Sequence, residues 1–432
     1  MKYTLIFTVS LLLSITMLHA QESENESSNT SYKKRVLEST EVDFLMSYYA
    51  QDGTHAAVTG GKGTEELTDV TPTFVVAIPL NDDDVLTIDA GISAYTSASS
   101  SNINPFDSDS AADPFQASSG ASQSDTWVNL NVNYAHSSED RNSIWSGHVN
   151  VASEYDYFSI GLGGSYTRLF NQKNTELSVK ANIYLDTWNP QYPAEFQEGF
   201  TRPDIVGTGN YSNSFTQFEN EGRNTYSVSV SFSQVLNENA QISLFLDLVK
   251  QDGLLSTPHQ RVYFADVNDF FVQNFQLGDD VEKLPDSRFK LPVGARFNYY
   301  IDETFSLRTY YRYYFDDWGI NAHTASIEVP IKLAEGKFTF YPTYRYYSQT
   351  KADYFAPFET HLSTDEFYTS DYDLSEFDSH QYGIGFKYYD IFTKFKILNF
   401  GLKTFDIRFN HYTRSDGLSA NIISTGFKFV LD

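Results

Sequence analysis

An acidic segment in the last quarter of the chain carries the side chains that a hard metal ion prefers. TSDYDLSEFDSH spans residues 369–380 and contains the carboxylates of Asp371, Asp373, Glu376 and Asp378. Closely spaced oxygen ligands of this kind bind Ca²⁺ in proteins, although the central glycine of an EF-hand loop is absent. The segment predicts either a Ca²⁺ site or, as the favoured interpretation, a solvated acidic loop. No other cofactor is expected.

A second segment, FDDWGINAH (315–323), places chemically active side chains at a tight turn between two predicted strands. It contains Asp316, Asp317, Trp318 and His323. Aspartates that cap the turn, beside a tryptophan in an interfacial aromatic girdle, explain the same residues without any chemistry. That interpretation is favoured.

Other candidate sites lack the pattern that their chemistry needs. VTGGKGTEE (58–66) resembles a phosphate-binding loop, but the full spacing, the Lys-Ser/Thr pair and the following helix are missing. GLGG (161–164) lies inside a strand-like segment, where glycine marks a bend or a close approach. The nine histidines show no pair at metal-ligand spacing, and spacing alone identifies no Ser-His-Asp set. We therefore predict no catalytic residue and no enzyme activity.

The basic residues suggest a different chemistry, the binding or passage of anions. Lys and Arg number 7 in residues 40–240 and 19 in residues 241–432. Nine of them fall on the polar side of alternating segments: Arg288, Lys290, Arg296, Arg308, Arg312, Lys332, Arg345, Lys387 and Arg408. Such residues either form internal salt bridges, with interior carboxylates or with a folded-in acidic loop, or line a passage or site for anions. The salt-bridge interpretation is favoured.

The elements that must position these residues are β-strands. TYSVSVSFSQVLNENAQISLFLDLV (225–249) alternates serine with Tyr226, Val228, Val230 and Phe232, and its second half places Ile242 to Leu248 on one parity. One apolar face and one face of serine suit a strand between lipid and a wet interior, because successive side chains point to opposite faces.

About sixteen such segments follow one another, each near the length that a tilted strand needs to cross a bilayer. They lie near 40–51, 66–80, 84–97, 125–137, 142–155, 157–170, 173–187, 223–237, 239–252, 288–301, 303–316, 320–334, 336–349, 379–391, 400–413 and 417–431.

The connections between these segments alternate in length. Short polar connections occur at 80–84, 137–142, 171–174, 237–239, 301–304 and 334–337. Long connections on the other side occur at 98–124, 188–222, 253–287 and 350–378. Outer-membrane barrels sort their connections in this way. The predicted fold is therefore all-β: a transmembrane antiparallel outer-membrane β-barrel of about sixteen strands, with long extracellular loops and short periplasmic turns.

Composition and the N-terminal residues indicate the cellular location of the protein and the classes of partner it binds. The chain has 432 residues, 16% aromatics, no cysteine and a formal net charge of −26, which argues against nucleic-acid partners and is typical of solvated surface loops. MKYTLIFTVSLLLSITMLHA predicts a signal peptide over residues 1–20, cleaved after Ala20. A flexible periplasmic segment is expected at 21–39 and the barrel at 40–432.

Four segments resemble a family of exported bacterial proteins that is catalogued as a domain of unknown function and found in Bacteroidetes and Proteobacteria. They are AVTGGKGTEELTDV (57–70), SGASQSDTWVNLNVNYAHSSEDRN (119–142), SEYDY (153–157) and YRYYFDDWGINAHT (311–324). The resemblance covers nearly the whole mature chain and implies an outer-membrane barrel without implying an activity. Because members are often encoded near flavin-attaching and thioredoxin-like proteins, it also implies envelope redox proteins as partners.

Together these features predict a porin-like channel or envelope scaffold in the outer membrane of a Gram-negative cell. It would pass or bind anionic solutes through a positively lined lumen. The alternative is a sealed barrel that serves as a structural or redox-module partner in the envelope. The other expected partners are outer-membrane lipids and the barrel assembly machinery.

Overall fold

A computed structural model describes residues 35–96, 124–211, 215, 222–390 and 392–431. The predicted signal peptide and most of the predicted segment at 21–39 lie outside these residues. No helix within the described part of the chain has the length and apolarity needed to cross a membrane.

Sixteen antiparallel strands form one closed wall, in which each strand pairs with the next and the last pairs with the first. In chain order they are β1 (Glu41–Asp52), β2 (Leu67–Pro79), β3 (Asp84–Thr96), β4 (Ser124–Ser137), β5 (Ser143–Ser153), β6 (Tyr157–Phe170), β7 (Thr175–Trp188), β8 (Gly222–Asn237), β9 (Ala240–Gly253), β10 (Ser287–Tyr300), β11 (Ser306–Asp316), β12 (Asn321–Glu328 and Ile331–Leu333), β13 (Phe338–Gln349), β14 (Phe377–Tyr389), β15 (Phe400–Arg414) and β16 (Ser419–Leu431). Closure leaves no unpaired strand edge. The predicted fold class, a barrel of sixteen strands, is confirmed.

The wall has an apolar outside and a polar inside. On β8 and β9 the outward side chains of Val228 and Leu244 are exposed to the surroundings of the barrel. The serines of the same strands face inward, where the hydroxyls of Ser233 and Ser243 lie 2.8 Å apart and Asn182 donates to Ser227 Oγ at 3.0 Å. The alternation predicted for residues 225–249 is therefore confirmed.

The strand boundaries differ from the prediction where local chemistry ends the pairing. The predicted strand at 320–334 is interrupted at Val329 and Pro330, because proline has no backbone N–H to donate to the ladder. The strand predicted to begin at 303 begins at Ser306, because the Asp302 side chain accepts the N–H groups of Thr304 and Phe305 in a turn.

The two ends of the barrel carry different connections. One end has tight turns, including the single-turn 3-10 helix Asn171–Lys173. The other end has long loops with short elements of their own: the 3-10 helices Ala57–Thr59, Ala194–Phe196 and Tyr372–Leu374, and the strands Ile205–Gly207, Arg261–Val262, Phe270–Val272, Phe275–Gln276 and Asp280–Val281. A further two-residue strand, Lys396–Ile397, pairs with the start of β15 at the short-turn end.

The loops at 53–66, 189–211, 254–286 and 350–376 pack on one another, and we call them the cap. Apolar clusters form its core, with Val262 and Phe275 both 0% exposed. The prediction of solvated loops is wrong for these segments, because their apolar side chains bury one another instead of facing water.

The cap lies over the mouth of the barrel. Arg261, between β9 and β10, donates from Nη1 to the carbonyl of Val58, between β1 and β2, at 3.1 Å. Those two positions are eight strands apart in a ring of sixteen, so they start from opposite sides of the wall. A barrel of this size is about 30 Å across, given the usual strand spacing and tilt. The two loops therefore meet across the opening.

Candidate functional site

The structure brings the nine predicted basic residues to one side of the lumen. They lie on six consecutive strands, β10 to β15, at inward positions of the register. Their outward neighbours, such as Val293 and Phe297 on β10, are exposed on the other face. The residues are Arg288, Lys290 and Arg296 on β10, Arg308 and Arg312 on β11, Lys332 on β12, Arg345 on β13, Lys387 on β14 and Arg408 on β15.

Three of the arginines belong to salt bridges with lumen carboxylates. Arg288 pairs with Asp316 at 2.5 Å. Arg308 and Arg408 both reach Glu328, at 2.8 and 3.5 Å, so one carboxylate on β12 connects β11 with β15. These residues match the salt-bridge hypothesis.

A glycine allows Arg408 to reach Glu328 across two intervening strands. A Cβ atom on Gly385 would overlap the Tyr341 ring, so this ring occupies the space above the glycine. The Arg408 guanidinium stacks on the ring at 4.4 Å from its centre, and the Tyr341 hydroxyl donates to Asp406. Tyr341 thus packs against the Arg408 guanidinium and orients it toward β12.

The other three arginines, Arg296, Arg312 and Arg345, form what we call the arginine cluster. Among the described residues none of the three forms an ion pair with a carboxylate. Arg296 faces the rings of Phe245 and Tyr310 at 5.7 and 5.9 Å, and Arg345 lies 5.8 Å from the ring centre of Tyr347. The buried Nε of Arg312 has no hydrogen-bond partner in the described part of the chain.

The register places the cluster at one level of the lumen. Arg296 is opposite Tyr310, Tyr310 is opposite Ser326, and Ser326 is opposite Arg345. Arg312 lies one inward position above Tyr310 on β11. Since neighbouring strands are about 4.8 Å apart, Arg296 and Arg345 start about 14 Å apart, and Arg312 lies on a strand between them.

A cavity of about 550 Å³ opens beside this level. Its lining includes Arg296, Arg308, Arg408 and Glu328, together with Tyr310 and Asn298. The three guanidinium groups lie near two carboxylates, Glu328 and Asp406, the second 3.3 Å from Arg408, so the local charge is positive. Such a surface attracts anions by Coulomb interaction and offers them charge-assisted hydrogen bonds.

The acidic segment at 369–380 is anchored in the cap by its first residues, while the carboxylates of Asp373, Glu376 and Asp378 are exposed, as the solvated-loop interpretation expects. Thr369 is 0% exposed and donates to Glu282, while Asp371 accepts from Gln260 at 3.2 Å. Asp373 pairs with Arg414 at 2.5 Å, so the structure brings these two carboxylates toward the lumen. Glu376 is exposed, and Asp378 on β14 accepts from Tyr346 at 2.7 Å. Within the described ranges no three His, Cys, Asp or Glu side chains are grouped as a metal site would need.

Of the two expectations for FDDWGINAH (315–323), the turn-capping aspartate is correct and the girdle tryptophan is wrong. Asp316 does cap the turn, since it accepts the backbone N–H groups of Trp318 and Ile320 at 3.1 and 3.0 Å. Trp318 is not in an aromatic girdle. It is 3% exposed and packs against Leu255 and Leu284, because the loop at 254–286 covers it.

Sequence reasoning missed the charged groups that hold the cap together. Arg261 and Glu195 form a doubly hydrogen-bonded ion pair at 2.6 and 3.0 Å, and both side chains are almost fully buried. Glu282 is buried, has no basic partner among the described residues, and accepts from Thr257 N and Thr369 Oγ1, both at 2.6 Å. Burial, reinforced by the charge of Asp371, raises the pKa of Glu282 to about 8.

The cap is expected to lose stability as the pH rises from 7 to 9. Glu282 has an ordinary pKa of 4.5, raised to about 8 in the folded cap, so its contribution is fully present below pH 4.5 and is lost as pH rises through 8. The pKa of Asp371 is raised to about 6, and that of His259 is lowered to about 4, both by burial, so neither changes charge above pH 7. Limited proteolysis of loop 254–286 should be faster at pH 9 than at pH 7, and Glu282→Gln should remove most of the difference. Equal pH dependence in the variant would contradict this assignment.

Comparisons with known proteins identify a family and leave the activity open. A sequence profile of a family described as "Protein of unknown function (DUF3570)" matches residues 8–423. The chain matches no curated protein. Three similar solved structures are a bacterial polysaccharide outer membrane secretin, a BenF-like porin from Pseudomonas fluorescens Pf-5 and the CymD monoaromatic hydrocarbon channel. The secretin is 9% identical with a TM-score of 0.42, and the match covers 89% of this chain and 97% of that chain. The porin is 8% identical with a TM-score of 0.41, covering 91% and 98%. CymD is 9% identical with a TM-score of 0.38, covering 91% and 88%.

Proposed function

The chain belongs to the DUF3570 family of proteins of unknown function, and from this premise we propose that it is a capped outer-membrane channel for small anionic solutes. It is not an enzyme under this proposal. The lumen supplies the passage, the arginine cluster supplies the preference for anions, and the cap limits the size of what enters.

The outer surface of the wall supports a location in a lipid bilayer. Large apolar side chains are exposed around the barrel, and Phe74, Leu162 and Ile384 are each at least 50% exposed. A water-soluble protein rarely exposes so much apolar surface. A closed barrel satisfies every wall hydrogen bond internally, which is the condition for crossing hydrocarbon with strands.

The single observation that carries the anion preference is the arginine cluster. A guanidinium group in a dry, sealed interior without a carboxylate would be strongly unfavourable. In a water-filled lumen, mobile anions from solution can act as counter-ions instead. The cluster therefore favours a wet passage over the sealed scaffold, while the paired Arg288, Arg308 and Arg408 are compatible with either.

A space beneath the cap supports continuity of the passage. A cavity of about 470 Å³ lies between the cap and the inner wall, lined by Gln260 and Asp371 from the loops and by Arg345 and Tyr412 from the strands. Arg345 belongs to the arginine cluster, so this cavity and the positively charged level of the lumen share a residue. A solute that passes the edge of the cap meets the cluster next.

Uptake into proteoliposomes tests the proposal. We expect gluconate to enter faster than N-methylglucamine, a cation of similar size and hydroxylation, with neutral sorbitol between them. The difference should fade at about 1 M salt, where the screening length falls to about 3 Å. Entry of none of these solutes, or equal entry of all three at low salt, would contradict an anion-preferring channel.

A further inference from the structure

We infer that the cavity beneath the cap is a binding site for a small neutral polyhydroxylated solute, a mono- or disaccharide. This goes beyond the proposed anion passage, because the cavity differs in chemistry from the positively charged level of the lumen. Its volume of about 470 Å³ lies in the range of small-molecule pockets.

Strands and loops build the site together. Arg345, Gln381 and Tyr412 are register partners on β13, β14 and β15, so they present a guanidinium, an amide and a phenol in one row. The loops add His55 and Glu65 from one side of the barrel and Gln260, Asp371 and Asp373 from others. A site made from several strands and three cap loops depends on the cap being folded.

Two buried polar atoms at this site have no hydrogen-bond partner among the described residues. One is Gln260 Oε1 and the other is Arg414 Nε, on side chains whose residues are both 9% exposed. Gln260 Nε2 donates to Asp371 at 3.2 Å, which fixes the orientation of the amide and leaves its oxygen without a hydrogen-bond partner among the described residues. The two terminal nitrogens of Arg414 donate to Asp373, Asp416 and the Tyr372 carbonyl, so Nε is the guanidinium nitrogen without a hydrogen-bond partner among the described residues. An unsatisfied buried group costs about 1–3 kcal/mol, and both side chains line the cavity, so a ligand toward which either side chain turns gains a hydrogen bond that the empty site lacks.

The mixture of charges selects a neutral ligand. An anion can pass through this cavity beside Arg345 and Arg414, but Glu65, Asp371 and Asp373 line it as well and oppose tight binding of a negative charge. A cation would be attracted by the three carboxylates and repelled by the two arginines. A hydroxyl group both donates and accepts, so a ligand with several hydroxyls can serve the carboxylates and Gln260 Oε1 as well as the guanidinium groups. A ring surface is also present, since His55 and Tyr372 stack with centroids 3.8 Å apart at the edge of the site.

Binding to the purified, detergent-solubilised full chain tests this inference by calorimetry. The probes are glucose, galactose, maltose and lactose. At least one of them should bind, and its affinity should change little at about 1 M salt, because a neutral ligand carries no net charge whose attraction to the site could be screened. Gln381→Leu, at a wall position, should weaken binding about tenfold, the equivalent of one or two hydrogen bonds. The matched control is Thr343→Val, since Thr343 faces the lumen on β13 but does not line the cavity.

Three outcomes would overturn the inference: no binding of any probe, binding that disappears at high salt, or equal affinity in Gln381→Leu and the wild type. Calorimetry in detergent requires no ion flow. A failure of this site is therefore distinguishable from a failure of the channel, which is read from uptake into liposomes.

Discussion

Replacing Glu195 with alanine is expected to unfold the cap while leaving the barrel wall closed. Arg261 would remain in the core of the cap without its carboxylate partner, next to Phe275. Removing one member of a buried ion pair costs about 3–5 kcal/mol, because a desolvated charge is left uncompensated. The cap has no disulfide to hold it, since the chain contains no cysteine.

The unfolding should be visible in two measurements. Limited proteolysis should cut loop 254–286 rapidly in Glu195→Ala, while unheated protein on a gel keeps the mobility of a folded barrel. Single-channel conductance should rise, because the loops that meet across the mouth no longer obstruct it.

Two further variants make this result specific. Glu195→Ala combined with Arg261→Met should recover much of the protease resistance, since an apolar side chain replaces the orphaned charge. Asp204→Ala breaks an ion pair between an exposed carboxylate and Arg202 on the same loop and should have no measurable effect. A cap that stays protease-resistant in Glu195→Ala would show that the buried pair does not hold it.

The wall of the barrel could be predicted from the sequence because the two faces of each strand meet different surroundings. The alternation in β8 and β9 marks which side chains face outward, and no other element is needed to interpret it. The inward parity of Arg296 or Arg345 follows from the same alternation once a strand is recognised. Strand boundaries, such as the break at Pro330, depend on single residues and are predicted less accurately than the strands themselves.

The pairing of the lumen charges could not be predicted, because it depends on register. Arg308 and Arg312 share one strand and one face, yet Arg308 lies opposite Glu328 and Arg312 lies opposite Thr324. A shift of four residues between β11 and β12 would place Arg312 opposite Glu328 without changing either face. A single sequence does not contain this information.

The cap was missed because it has no periodicity. Its ion pair joins residues 66 positions apart, in loops from different parts of the wall. One signal was present: the segment from Val262 to Leu277 is richer in apolar residues than a solvated loop requires. Apolar loop residues in a barrel sequence therefore predict a folded loop assembly.

Replacing Arg296, Arg312 and Arg345 together with glutamine is expected to abolish the anion preference. The change removes three positive charges from one level of the lumen and leaves Glu328 with its partners, so no carboxylate there loses an ion pair. Glutamine retains hydrogen-bond donors, and lumen substitutions alter selectivity more than stability. The variant should therefore fold with the thermal stability of the wild type. Lys250→Gln is the control, because Lys250 is paired with Asp252 at the outward-facing positions of β9.

The most direct measurement is the reversal potential of the purified protein in planar bilayers under a potassium chloride gradient. The wild type and Lys250→Gln should conduct with a reversal potential of the sign that chloride preference produces. The triple variant should conduct with a reversal potential close to zero or of the opposite sign. Two results would contradict the account that this barrel is an anion channel whose selectivity comes from its arginine cluster. One is a wild-type protein that does not conduct, and the other is a triple variant with the wild-type reversal potential.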